Sequence, residues 1–289
     1  MNVTNGIIQR NSRKTTMNIK YIDSLEDEEL KIYTELSENQ LKHFYEPKPG
    51  LFIAESPVVI ERALAAGYEA DSILTDDSHL EEVCSIIASY QLPIYVAKDE
   101  ILRQIKGFEM TRGALCAMKR KPLLAINDLL SQMNEKGKKR IAVMEEVQNP
   151  TNVGAIFRSA AAMGVDAVIL TNGCADPLYR RAVRVSMGNV FLVPWTVAGK
   201  EDDVIELLKS AGFVTLAMAL KDNTVRIDEP RLKEQEKLAI VLGTESEGLV
   251  DETIEKCDYT VKIPMMEGVD SLNVAAASAV AFWEMRTNL

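Results

Sequence analysis

The stretch RIAVMEEVQNPTNVGAIFRSAAAMGVDAVILT, Arg140–Thr171, decides the reading of the fold. An apolar run, RIAVMEEV, leads into a turn fixed by Asn149-Pro150, then into the helical pattern VGAIFRSAAAMG and a second apolar run, DAVILT. Strand, helix and strand at this spacing call for a parallel sheet covered by helices. The alternation continues downstream through the strand VFLVPW, the helix DDVIELLKSAG, the strand FVTLAMAL, a polar excursion, the strand LAIVLG, a short helical segment, the strand YTVKIP and a final helix. Residues 139–289 are therefore expected to form one α/β domain, its parallel sheet flanked by helices on both faces.

Upstream, LFIAES, PVVIERALAAG with Pro57 in a first helical turn, DSILTD, EEVCSIIASY and PIYVA alternate in the same way and close near GALCAMKRK. They predict a smaller α/β domain over 21–120. Residues 121–138, PLLAINDLLSQMNEKGKK with its neighbours, are expected to be a linker or connecting helix ending in a charge run. Residues 1–20 are expected to be disordered or an extension, because 1–16 are polar and unpatterned and Met17 is a second plausible start. A helical stretch carrying Leu25, Leu30, Ile32, Tyr33 and Leu36 follows.

With 289 residues, 47% of them hydrophobic, the chain can bury a full core and divide in two, at roughly 100–200 residues per domain. No window approaches the ~18 consecutive apolar residues of a membrane span, and the N-terminus lacks the apolar centre of a secretory signal. A cytoplasmic chain with no membrane partner is expected. Cys84, Cys116, Cys174 and Cys257 are far apart, and the only histidines are His43 and His79. Neither a metal site nor a disulfide framework is expected, and mechanisms of the Ser-His-Asp or Cys-His type lack material.

The net charge of −10 argues against indiscriminate coating of nucleic acid but allows a local basic footprint. Candidates are Lys119–Lys121, the run Lys136, Lys138, Lys139 and Arg140, and the group Arg180, Arg181 and Arg184. Each reads equally as a solvated surface run.

Ligands of a parallel sheet bind at the carboxyl ends of its strands. Three loops lie there. In EEVQNPTNVGAIFRSA, Thr151 or Asn152 can cap the helix, and Gly154 and Arg158 share a helix face, the glycine leaving room beside the arginine. In LAIVLGTESEGL, Gly243 follows the strand directly, where a missing side chain lets a ligand approach the backbone, and Glu245 and Glu247 flank the turn before Gly248. It is no GxGxxG fingerprint, and no P-loop occurs, so a conventional nucleotide-dependent enzyme is disfavoured. In IPMMEGVDSLNVAAA, Ser271 is placed to cap the last helix, and Ala275, Ala276, Ala277 and Ala279 suit tight packing. Singly, each loop has a purely structural explanation.

Together, NPTNVGAIFR, LGTESEGL and IPMMEGVDSLNVAAA, in that order, resemble the three motifs of the SpoU/TrmH family of RNA 2′-O-ribose methyltransferases. Gly243 and Ile263 are 20 positions apart, Ile263 and Leu272 nine. The segment ADPLYRRAVRVSMGNVFLVP, with Arg184, Ser186 and Gly188, resembles the family's segment between its first and second conserved strands. FIAESPVVIERALAAG, PIYVAKDEILRQIKG and RGALCAMKR resemble the ribosomal-protein-like RNA-binding domain that precedes the catalytic domain in many members. One departure is FIAES, where relatives commonly carry a glycine after the glutamate.

The resemblance implies a SPOUT-type trefoil knot in the C-terminal domain, which periodicity would never suggest, a homodimer, S-adenosyl-L-methionine as cofactor and no metal. Gly243, Ile263 and Leu272 match cofactor contacts, with Leu216–Met218 as a further edge. Arg158 matches the arginine placed beside the reacting hydroxyl. Since guanidinium groups stay protonated in proteins, its expected role is to bind the target phosphate and lower the hydroxyl's pKa while the proton leaves through phosphate or water. Asn152 and Asn273 are expected to orient Arg158 and the ribose, Glu245 either to fix its loop or to serve catalysis by contacting the neighbouring arginine or RNA, Ser271 to bond across the site, and Arg184 to contact RNA together with Arg158. The implied substrate is structured RNA, ribosomal RNA ahead of tRNA. A non-catalytic RNA-binding homologue is the competing class, which methyl transfer to RNA would exclude.

Overall fold

The computed structural model describes residues 17–42, 50–88, 90–105, 113–134, 137–221, 224–244, 248–269 and 271–287. The expectations for residues 1–16 and for Glu245 lie outside the described residues. The chain divides into two compact units, the first comprising residues to Pro122 together with Leu178–Gly188, the second Leu123–Pro177 and Asn189–Leu289.

The first unit contains β1 (Asn18–Ile22), α1 (Lys31–Thr34), α2 (Glu38–Lys42), β2 (Leu51–Glu55), α3 (Pro57–Ala65), β3 (Glu69–Thr75), α4 (Leu80–Ile86), β4 (Pro93–Ala97), α5 (Asp99–Leu102) and β5 (Ala114–Lys119). Among the described residues these strands form one sheet in the order β1-β4-β3-β5-β2. β1, β4 and β3 run parallel, and β5 is antiparallel to both β3 and β2. β1 corrects the expectation for this stretch, assigned partly to the extension and partly to a helix. NIKYI alternates, and Ile19, Lys20 and Tyr21 find register partners at Ile94, Tyr95 and Val96. Beneath the sheet Tyr33 is buried, its hydroxyl 2.7 Å from Ser72 Oγ and accepting from Ala117 N–H at 3.3 Å. Burying a phenol this way satisfies its polar end while its ring fills the core.

Glu55, at the end of β2, is 1% exposed and accepts from Arg180 Nε at 2.9 Å, with Arg184 Nη1 at 3.9 Å. A buried carboxylate requires such cations. They explain why Leu178–Gly188 groups with this unit although the sequence places it within 139–289. The next residue, Ser56, has φ 91° and ψ 148°. Glycine adopts that backbone freely; a residue with a Cβ does so only under strain. The departure FIAES, a serine where the resembled pattern has glycine, thus falls at a position whose geometry asks for glycine.

The second unit contains α6 (Ile126–Ser131), β6 (Lys139–Met144), α7 (Pro150–Ala162), β7 (Ala167–Leu170), β8 (Trp195–Val197), α9 (Val204–Ser210), β9 (Val214–Met218), β10 (Val225–Arg226), α10 (Pro230–Lys233), β11 (Lys237–Leu242), α11 (Asp251–Lys256), β12 (Tyr259–Lys262) and α12 (Val274–Met285), with α8 (Arg180–Val185) lying in the first unit. Its seven described strands, in the order β10-β12-β9-β11-β6-β7-β8, pair in parallel throughout, as expected. Alternate residues of β6, β7 and β11 (Ile141, Val143, Ile169, Val241) pack with α6 and α9, while α12 packs against α7 and β11.

Two further expectations change. Residues 121–138 do not merely link, since Ile126, Leu129, Leu130 and Met133 are buried in this core. VFLVPW is not a strand along its length: a 3-10 turn covers Asn189–Phe191 and the strand starts only at Trp195. Pro194 cannot donate to a ladder, and its carbonyl accepts from Val168 N–H at the strand's beginning.

Arg140, 2% exposed, closes this unit from within. Its guanidinium donates to the carbonyls of Met285 at 2.5 Å, Gln235 at 3.0 Å and Lys233 at 3.2 Å. One planar fork thereby ties the start of β6 to the segment before β11 and to the end of α12. Among the described residues no helix is long and apolar enough to cross a membrane.

Candidate functional site

Because β12, β9, β11 and β6 are parallel neighbours, their carboxyl ends share one edge of the sheet. The loops leaving that edge enclose two adjoining cavities. The smaller, about 430 Å³, is lined by Met218, Leu242, Gly243, Ile263, Ser271 and Leu272 among others. Residues from two remote motifs, Gly243 of the second and Ile263, Ser271 and Leu272 of the third, thus meet as walls of one space, as does Met218 of the expected further edge. The larger cavity, about 820 Å³, opens beside the end of β6, with Glu145, Glu146, Gln148, Asn149 and Asn152 in its lining. Thr244, Gly248, Leu249, Asp251 and Val274 line both.

Gly243 is required by the chain itself. A Cβ there would lie 2.3 Å from the carbonyl carbon of Gly248 and 2.4 Å from Leu249 N. Thr244 N–H donates to Gly248 O at 3.0 Å, and Gly248 N–H returns a bond to Thr244 O at 3.2 Å. The glycine therefore makes room for a tight return of its own loop, where the sequence suggested room for a ligand. Gly248 holds φ 72°, the left-handed conformation glycine favours.

Both expected helix caps are shifted. Asn149, not Thr151 or Asn152, caps α7, its side chain accepting from Thr151 N–H at 2.9 Å. Asn273, not Ser271, caps α12, accepting from Ala275 N–H at 3.0 Å and Ala276 N–H at 3.4 Å. An asparagine side chain satisfies the free N–H groups of a first turn as well as serine does. The displacement frees Asn152 and Ser271 for the cavities. Asn152 is 6% exposed, and its Oδ1 accepts from Asn273 Nδ2 at 3.2 Å. The first and third motifs are therefore joined by a direct side-chain bond.

Arg158 is not drawn into this group. It is exposed on α7, while Gly154, expected on the same face, is buried. It is absent from the described lining of both cavities. Arg184 belongs to the first unit, beside Glu55.

Two acidic residues that the sequence left without a role belong to the site. Glu145 accepts from Val250 N–H at 3.0 Å and from the Thr253 hydroxyl at 2.5 Å, tying the end of β6 to the start of α11. Glu146 has φ 55°, another left-handed non-glycine residue. The only signal available was the position of this acidic pair immediately after an apolar strand. Burial raises the pKa of Cys84, Cys116 and Cys174 and pushes Cys257 up to about 11, which favours the neutral thiol.

Comparison with known proteins agrees with this geometry. The profile of the SpoU rRNA Methylase family matches residues 139–283. A Mycobacterium bovis protein named as an uncharacterized tRNA/rRNA methyltransferase is 39% identical over 235 residues, covering 81% of this chain and 80% of that protein. The Bacillus subtilis 23S rRNA (guanosine(2553)-2′-O)-methyltransferase RlmP is 25% identical over 271 residues, covering 93% and 100%. In fold, the crystal structure of an AdoMet-bound rRNA methyltransferase from Sinorhizobium meliloti superposes with a TM-score of 0.78 at 22% identity, covering 93% of this chain and 97% of that one. With its three motif loops gathered at one sheet edge and residues 139–283 matched by the profile, the chain belongs to the SpoU rRNA Methylase family of methyltransferases.

Proposed function

We propose that this protein transfers a methyl group from S-adenosyl-L-methionine to a ribose 2′-hydroxyl of structured RNA, ribosomal RNA ahead of tRNA. The observation that carries the reading is the meeting of Gly243, Ile263, Ser271 and Leu272 around one cavity, with the Asn152–Asn273 bond on the neighbouring motif residues. The relatives' names point the same way, one a 23S rRNA 2′-O-methyltransferase and one a tRNA/rRNA methyltransferase. The smaller cavity fits the cofactor: Met218, Leu242, Ile263 and Leu272 give apolar walls for a nucleoside, and its volume suits a compact ligand.

Bound cofactor supplies an electrophilic methyl on a sulfonium, so the protein's task is to hold a hydroxyl in line with it. In this reading the larger cavity receives the target nucleotide, and Asn152, held by Asn273, orients the ribose. Ser271 bonds across from the cofactor side. Arg158 binds the phosphate next to the target and stabilises the developing alkoxide, while the proton leaves through phosphate or water. Because Arg158 is exposed and lines neither cavity, it would act on the site of a second subunit, which makes a homodimer part of the proposal. The family's knot, with the C-terminal segment threaded through a loop of the second unit, is part of it too. Arg184 is proposed to serve RNA from the first unit, with Glu55 holding it.

Ribose methylation mapped across the RNA of a strain lacking the protein tests the reading. One mark should vanish, return with the wild-type gene and stay absent with Asn152→Ala. An unchanged map would refute it.

A further inference from the structure

We infer that Lys221 and Asp251 grip the amino-acid arm of S-adenosyl-L-methionine at the rim of the smaller cavity, Lys221 taking its α-carboxylate and Asp251 its α-ammonium. The inference rests on the cofactor reading of that cavity and extends it from the nucleoside to the charged arm.

The walls that suit the nucleoside, Met218, Leu242, Ile263 and Leu272, carry no charge. A zwitterion set against them would give up hydration without gaining a partner, which is costly. Among the described residues lining this cavity the charged side chains are Lys221, Asp251 and Lys262. Two of them have opposite sign and meet, Lys221 Nζ donating to Asp251 Oδ1 at 2.6 Å. Their side chains are 49% and 77% exposed, which places the pair at the solvent side of the cavity and not among its apolar walls. Lys221 comes from the loop after β9 and Asp251 is the first residue of α11, so the pair joins two different segments of the rim.

Both backbones are anchored nearby. Ala219 N–H donates to Val261 O at 3.1 Å, holding the chain just before Lys221. Glu145 accepts from Val250 N–H at 3.0 Å and from the Thr253 hydroxyl, so Asp251 lies between two held residues. Charges placed in advance cost less to organise when a ligand arrives.

The connectivity of the cofactor leads to the same place. Its sulfur carries the methyl group, the adenosyl group and the amino-acid arm. The methyl must face the larger cavity, which receives the nucleotide in the proposed reading, and the adenosyl group takes the apolar walls. The arm is then left to leave where the two cavities adjoin. Asp251 is the charged residue among the described ones that line both. Exposed ion pairs contribute little stability, so this one can open to admit a carboxylate beside the ammonium and an ammonium beside the carboxylate.

Calorimetry on the full chain tests the grip with three ligands: S-adenosyl-L-methionine, its decarboxylated form, which keeps the ammonium, and 5′-methylthioadenosine, which lacks the arm. Lys221→Met should weaken S-adenosyl-L-methionine roughly 3- to 10-fold and leave the decarboxylated form nearly unchanged. Asp251→Asn should weaken both by a similar factor. Neither substitution should change the affinity for 5′-methylthioadenosine or move the urea midpoint appreciably, and Lys221→Arg should keep most of the wild-type affinity. Leu272→Asp, on the nucleoside wall, should weaken all three ligands. A Lys221→Met protein that binds S-adenosyl-L-methionine within about twofold of wild type, or that loses 5′-methylthioadenosine in equal measure, would overturn the inference and leave the cavity's reading standing. Unchanged binding of all three ligands by Leu272→Asp would remove the cofactor reading of the cavity and the inference together.

Discussion

Replacing Ser56 by glycine should make this protein more stable, although glycine usually does the reverse. Ser56 sits at φ 91°, ψ 148°, between the buried Glu55 and Pro57. Its N–H donates to Ala114 O at 2.9 Å and its carbonyl accepts from Ile60 N–H at 3.0 Å, so the backbone is held on both sides and cannot rotate away. The serine side chain makes no capping bond to α3 that would offset the strain. A non-glycine residue in this region costs about 1–3 kcal/mol, and the extra freedom of glycine in the unfolded chain costs about 0.4–1 kcal/mol. The difference is a gain of about 0.5–2 kcal/mol, or a few degrees in Tm. Urea unfolding of the full chain, followed by far-UV circular dichroism, should show a higher midpoint at unchanged slope. Ser56→Ala keeps the Cβ and should gain nothing. A Ser56→Gly protein no more stable than wild type, or a Ser56→Ala protein equally improved, would refute the assignment of strain to this residue.

Other substitutions probe the second unit. Arg140→Met removes the bonds to the carbonyls of Met285, Gln235 and Lys233 and the further ones to Lys139 at 2.9 Å and Glu236 at 3.4 Å, at about 1.5–3 kcal/mol for each well-formed bond from a charged donor, against several kcal/mol no longer needed to bury the cation. It should destabilise by about 2–4 kcal/mol in urea unfolding, and a loss below about 1 kcal/mol would contradict the clamp. Arg140→Lys should recover only part of this, since one ammonium cannot span three segments. Gly243→Ala puts a methyl against the backbone of Gly248, overpacking worth about 1–3 kcal/mol; calorimetry should show cofactor binding weakened roughly 10-fold or more, and normal affinity would show that the loop yields freely. Arg158→Ala should cut methyl transfer by about 100-fold or more, with cofactor affinity within about threefold of wild type. Near-normal turnover would remove Arg158 from the mechanism.

Much of the second unit could be read from the sequence, because βαβ patterning is local and each strand is one apolar run. β12, β9, β11 and β6 are all where YTVKIP, FVTLAMAL, LAIVLG and RIAVMEEV place them. The reading failed where a tertiary partner decides. NIKYI becomes a strand only because β4 offers it an edge, and α6 is core because the second unit's sheet is there to cover. Motif spacing was enough to gather Gly243, Ile263, Ser271 and Leu272. It could not say which asparagine or serine caps which helix, since Asn149, Asn152, Ser271 and Asn273 are all chemically able to do so. Nor could it show that Gly243 accommodates Gly248, a contact made only when the loop closes. The exposure of Arg158 was equally hidden, because a helix face acquires its meaning from what packs on it.

The Arg140 clamp also sets an order of events during synthesis. Arg140 emerges early in its unit, whereas its acceptor at Met285 lies 145 residues later. Until those last turns arrive, a guanidinium destined for the interior must stay hydrated, and the start of β6 cannot be sealed. The ribosome therefore cannot release a finished second unit in instalments. A nascent chain stalled a few residues short of Met285 should remain open to proteases at Lys139 and Arg140 while its first unit resists them, and release of the complete chain should close both.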